Sequence, residues 1–204
     1  MKGSYFSPAL TVLILLIQFD GYKNSYCSAA RPTSNETIPQ FIKTSCGVTT
    51  YPDLCFTTLS SYATKIQANP KLLATTALSV TLKATRSTST VMKKLSNSQG
   101  LTPREAAALY DCVEELGDSV DELQKSISEM GHNEGKNLAL QMNNIQTWVS
   151  AALTDEDTCM DGFSGNSMNG NLKSTVRSQI VNVAHLTSNA LALINNYASI
   201  ALPH

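Results

Sequence analysis

The 204-residue sequence holds few aromatic or charged residues. Aromatics make up 6% of it, with one tryptophan, and Asp, Glu, Lys and Arg together make up 15%. Fifteen basic residues stand against sixteen acidic ones, a net charge of −1, which excludes the broad positive field on which nucleic-acid binding depends. The three histidines, His132, His185 and His204, sit in no metal-binding spacing such as H-E-x-x-H. There is no G-x-S-x-G elbow and no phosphate-cradling glycine loop. Strand-like alternation is missing, and no apolar run reaches the roughly 20 residues that a membrane-spanning helix needs. These absences argue against the common hydrolase, nucleotide-binding and membrane-embedded classes.

The longest apolar run, Ala9 to Ile17, follows Lys2 and precedes the small residues of CSAARP. It reads as a signal peptide, residues 1–30, cleaved after Ala29 or Ala30. Residues 31–37 form a polar tail whose Asn35 opens NET, the one N-x-S/T sequon and the expected glycosylation site. The mature chain is expected to be secreted. Cys27 leaves with the signal, so Cys46, Cys55, Cys112 and Cys159 remain, an even number in an oxidising compartment. With all four assigned to disulfides, no thiol nucleophile is left.

What the chain does have is helical periodicity. After Thr102, an N-cap, and Pro103, a favourable first residue, apolar side chains recur at Ala106, Leu109, Val113, Leu116, Val120, Leu123, Ile127 and Met130. Glu105 completes a capping box, and Gly131 ends the segment. Leu73, Ala77, Val80, Ala84, Val91 and Leu95 form a similar stripe after Asn69 and Pro70. A third comprises Leu138, Met142, Ile145, Val149 and Ala152, with Trp148 at its edge and expected in the core. The fourth comprises Leu172, Val176, Ile180, Val183, Leu186, Ala190, Leu193 and Tyr197. Short connections between four long helices predict an all-α, up-down-up-down four-helix bundle over 69–204. Residues 38–68, broken by CGVTTYPDLC, predict a helical hairpin docked on one end of it.

Four cysteines allow three connectivities. Cys46 and Cys55 flank a turn with Gly47 and Pro52, which suits a local bridge. The remaining pair is compatible with the bundle. About 19 residues separate Cys112 from the helix end at Gly131, and about 22 separate Asn137 from Cys159. At about 1.5 Å per residue these climbs differ by only a few ångströms, so antiparallel helices bring the two cysteines level.

The acid-rich stretch LTDEDTCMDGFSGN, Leu153 to Asn166, invites a calcium-loop reading. With Asp155 as the first position, the sixth is Met160 instead of glycine and the twelfth is Asn166 instead of glutamate. No metal or cofactor is therefore expected. The stretch reads instead as a last short turn opened by Thr154 and the acids, locked by Cys159 and released at Gly162 and Gly165.

Charge is segregated along the chain. Thirteen of the sixteen acidic residues fall between Glu105 and Asp161, none between Leu54 and Arg104, and none after Asp161. The first bundle helix is basic, with Lys71, Lys83, Arg86, Lys93 and Lys94. The second is acidic, with Asp111, Glu114, Glu115, Asp118, Asp121, Glu122 and Glu129. Such a face is either solvated or a docking surface for a basic partner.

SCGVTTYPDLC, ALYDCVEELGDSVDELQKS and WVSAALTDEDTCMDGF, in this order after a signal peptide, resemble the plant inhibitors of invertase and pectin methylesterase, and the resemblance spans about Ile38 to Leu202. It implies a four-helix bundle with an N-terminal hairpin, the pairings Cys46–Cys55 and Cys112–Cys159, and a non-enzymatic inhibitor. Such inhibitors cover the active-site cleft of a plant cell-wall or vacuolar enzyme in a 1:1 complex. VSAALTDEDTCMDGF is more similar to the pectin methylesterase inhibitors, with acid invertase as the alternative target and a non-inhibitory cell-wall module as a further one. The same domain resembles the pro-region of many pectin methylesterases; this sequence ends at His204 with no catalytic domain, and a free-standing inhibitor is expected. In pectin methylesterase complexes the second, third and fourth bundle helices face the enzyme, and many such enzymes are basic. The contact candidates are thus Asp111, Glu114, Glu115, Asp118 and Glu122 on the second helix and Gln141, Asn144 and Thr147 on the third. The expected location is the plant cell wall or apoplast.

Overall fold

The structure, a computed structural model, describes residues 37–132, 137–165, 168 and 170–202. The signal-peptide reading, the Asn35 sequon and the polar tail up to Glu36 lie outside the described residues. Every regular element among the described residues is a helix. Helix α1 spans Ile38–Cys46 and α2 Pro52–Leu59; a 3-10 turn, Ser60–Tyr62, leads into α3, Ala63–Ile66. Four long helices follow: α4 (Pro70–Ser96), α5 (Pro103–Met130), α6 (Leu138–Asp161) and α7 (Gly170–Ala201). Each packs on its sequence neighbours and α7 closes against α4, so the expected all-α bundle is borne out.

Local chemistry explains where the helices begin. Proline in the first turn opens α1, α2, α4 and α5, where a missing N–H costs nothing. Asn69 caps α4 by accepting from the Leu72 N–H at 3.1 Å. Thr102 and Glu105 form the capping box of α5: the Thr102 hydroxyl accepts from the Glu105 N–H, and the Glu105 carboxylate accepts from the Thr102 N–H at 2.9 Å. At the α3–α4 junction Gln67 and Ala68 take φ of 52° and 54°, a left-handed conformation that costs an L side chain roughly 1 kcal/mol or more. Two disulfides fasten the fold: Cys46–Cys55 closes the hairpin, and Cys112–Cys159 ties α5 to α6.

The core is split in two. One apolar cluster joins Phe41, Ile42 and Ile66 of the N-terminal helices to the start of α4, the end of α5 and the end of α7. The other gathers Met92, Leu109, Leu116, Phe163, Val176 and Ile180 at the far end. Between them, buried hydroxyl and carboxyl groups take the core positions: Thr81 and Thr85 on α4, Ser119 on α5, Glu156 on α6 and Thr187 on α7. The threonine hydroxyls satisfy themselves on the preceding turn; Thr81 donates to the Ala77 carbonyl at 2.9 Å and Thr85 to Thr81 at 3.0 Å.

This layer corrects parts of the periodicity reading. On α4 the buried line runs through Thr81, Thr85, Thr88 and Met92, while Ala84, Val91 and Leu95 are only half-buried. On α5 Cys112, Ser119 and Ser126 are buried where Val113, Val120 and Ile127 were expected. Trp148 is half-buried, outside the buried core that was expected to take it.

Candidate functional site

The acid-rich stretch on α6 is no separate turn. Residues 153–161 continue the α6 helix, and the Thr154 hydroxyl donates back to the Ser150 carbonyl at 3.0 Å instead of capping anything. Its acids part company by helical phase, since each residue turns the axis by about 100°. Asp157 is exposed, Asp155 half-buried and Glu156 buried. Glu156 Oε1 accepts from Ser119 Oγ at 3.0 Å and from Thr187 Oγ1 at 2.8 Å, whereas Oε2 is buried with no hydrogen-bond partner. Burial pushes this carboxyl up to about 8, against the opposing pull of those two hydrogen bonds. Glu156 is therefore a neutral core acid and no surface ligand.

Asp155 lies on the flank of α6 that faces α5. Burial first, and then the carboxylates of Glu115, Asp118 and Glu122, raise its pKa to about 6. Four acids thus share the α5–α6 groove. Glu122 Oε2 is buried and unpartnered, and its Oε1 accepts a long 3.5 Å contact from Lys125 Nζ. Among the described residues there is no group of three or more His, Cys, Asp or Glu arranged to hold a metal ion.

Of the expected contact residues, the structure brings Glu115, Asp118 and Glu122 together. Asp111 and Glu114 are exposed further towards the α5 start. Gln141 and Asn144 are half-buried and Thr147 is exposed, its hydroxyl donating to the Asn143 carbonyl at 2.8 Å. The Cys112–Cys159 pairing sets an antiparallel register, so residues 141–147 lie beside the last turns of α5. At about 1.5 Å per residue, roughly 20 to 30 Å along the axis separates them from Asp111, but only about 3 to 12 Å from the level of Glu122. The expected contact residues therefore form a row of carboxylates along α5 whose Glu122 end reaches the level of the polar residues of α6. The basic residues of α4 are mostly on its outside; Arg86 donates across to Gln124 of α5.

Sequence reasoning missed a third feature. Tyr51, between α1 and α2, stacks on His185 of α7 with ring centroids 3.6 Å apart. Its backbone is gripped by Asn189, whose Oδ1 accepts from the Tyr51 N–H and whose Nδ2 donates to the Tyr51 carbonyl, both at 3.0 Å. No sequence pattern announces this pairing, because 138 residues separate the partners.

Comparison with known proteins now bears on the whole surface. The family model described as "Plant invertase/pectin methylesterase inhibitor" matches residues 40–193. A Daucus carota "21 kDa protein" is 53% identical over 163 residues, covering 78% of this chain and 84% of that protein. "Pectinesterase inhibitor 9" of Arabidopsis thaliana is 47% identical over 180 residues, covering 84% of this chain and 86% of that one. A solved mutant form of a pectin methylesterase inhibitor from Arabidopsis matches with a TM-score of 0.59 and 23% identity, over 76% of this chain and 95% of that chain; it speaks to the fold alone.

Proposed function

Because the chain belongs to the plant invertase/pectin methylesterase inhibitor family, we propose that it is a secreted protein inhibitor of pectin methylesterase, acting in a 1:1 complex. The observation that carries this reading is its 47% identity to a protein named as a pectinesterase inhibitor, over most of both chains. The geometry suits a blocking role. A rigid helical face tied by Cys112–Cys159 needs little ordering on binding. Laid over a long polymer-binding cleft, it would keep pectin from the enzyme's catalytic groups without performing chemistry of its own. An interface of standard size, about 1,600 Å² in total, fits on such a bundle face.

The acidic patch of Glu115, Asp118, Glu122 and Asp155 would meet basic groups on the enzyme and steer the encounter. The test is to titrate the oxidised mature protein against a plant pectin methylesterase and a plant acid invertase. Loss of pectin methylesterase activity, saturating at one inhibitor per enzyme, is expected. Loss of invertase activity alone would move the assignment to the other target, and loss of neither would overturn the inhibitory reading.

A further inference from the structure

Away from the α5–α6 groove, one surface combines fixed aromatic rings, open space and unpaired charge. It is the Tyr51–His185 stack and the hollows on either side of it. The two rings lie 20° from parallel. The backbone beneath Tyr51 is clamped by the buried Asn189, and Ser188 Oγ donates to Thr50 Oγ1 at 3.3 Å beside it. The pair is thus set in place before any partner arrives, which lowers the ordering cost of a contact.

One hollow, of about 230 Å³, lies between α6 and α7; Leu153, Met160, Val181 and Ala184 give it an apolar lining, and Asp157 and Ser188 supply its polar groups. The other, of about 310 Å³, is bordered by Pro52, Asp53 and Leu54 at the start of α2. Each hollow has one carboxylate. Asp53 and Asp157 are both exposed, and neither has an ion-pair partner among the described residues. An apolar wall ending in a lone carboxylate suits a long aliphatic stem with a cationic head, which is the chemistry of a lysine or arginine side chain. An anionic group would be repelled, and a neutral one would leave the carboxylate without a counter-charge. Asp157 also sits two residues from Asp155, on the opposite flank of α6, so the hollow adjoins the acidic patch across one helix.

We propose that the Tyr51–His185 ridge and its two hollows form a second docking element for the target enzyme, each hollow receiving one lysine or arginine side chain. The identity of the partner rests on the pectin methylesterase reading; the cationic occupant rests on the hollows themselves.

Three proteins test it: wild type, the double variant Asp53→Asn/Asp157→Asn, and Ala184→Phe, which fills the α6–α7 hollow. Each is titrated against pectin methylesterase at low and moderate salt, with thermal unfolding run alongside. The carboxylate variant should bind about 10- to 100-fold more weakly at low salt and lose part of the salt dependence, with an unchanged unfolding midpoint. Ala184→Phe should weaken binding to a similar degree. Wild-type affinity in the carboxylate variant overturns the cationic occupant even if Ala184→Phe binds poorly, and wild-type affinity in both overturns the ridge as a contact. If wild type itself does not inhibit, it is the functional reading that fails. Should Ala184→Phe not fold, the exposed carboxylate pair still decides the question.

Discussion

Glu156 shows how much depends on one proton. In the unfolded chain its carboxyl releases that proton near 4.5, whereas burial in the folded chain holds it up to about 8. The folded state therefore binds more protons across that window, and stability must fall as pH rises through it. The contribution is complete below about pH 4.5 and gone above about 8, and is on the order of a few kcal/mol. Glu156→Gln, which cannot ionise, should flatten the dependence of the unfolding midpoint on pH between 5 and 8. A variant as pH-sensitive as wild type would show that the charge resides elsewhere. Asp155 is shifted the same way, to about 6, by burial and by Glu115, Asp118 and Glu122. Asp155→Asn should accordingly raise the melting temperature at pH 7 to 8 and leave it nearly unchanged near pH 3.5. At this scale the sequence was partly legible. Met142, Ile145, Val149 and Ala152 continue by the same three-and-four spacing to Glu156 and Cys159, so periodicity marks Glu156 as a core position. Reading only apolar letters hides it.

The same lesson holds for whole elements. On α5 the spacing from Leu109 leads through Cys112, Leu116, Ser119, Leu123 and Ser126 to Met130, all buried. Favouring valine and isoleucine over cysteine and serine moves the predicted stripe by one residue at three places, Cys112, Ser119 and Ser126. Helix existence, the α5 capping box and the bundle topology were readable because they rest on local signals. The contact that anchors the predicted hairpin was not, since it depends on an asparagine in α7 gripping a backbone in the α1–α2 connection. Asn189→Ala should cost about 1–3 kcal/mol, because it leaves the part-buried Tyr51 carbonyl and N–H without their partner; equilibrium denaturation measures this. The Cys112–Cys159 bridge spans 47 residues and should be worth about 4 kcal/mol in the chain-entropy account. The double replacement Cys112→Ala/Cys159→Ala should lower the denaturation midpoint accordingly. At the strained α3–α4 junction, Gln67→Gly should stabilise by up to about 1 kcal/mol, an outcome visible as a higher unfolding temperature.

For the molecule as a whole, the proposed docking surface is open to a direct test by charge. A charge-reversal set, Glu114→Lys, Glu115→Lys and Asp118→Lys, should weaken inhibition of a basic pectin methylesterase at least 10-fold and invert its salt dependence. Unchanged inhibition curves would remove the acidic patch from the interface. The net charge of −1 conceals an arrangement that matters before any contact forms. Helices α4 and α7, which adjoin, carry no acidic residue, while the adjoining α5 and α6 carry twelve of the sixteen acids. The bundle is therefore an electric dipole laid across its own long axis. In the field of a charged surface it experiences a torque, so it arrives already turned with one side leading, and the gain is in the rate of productive collisions more than in the lifetime of the complex.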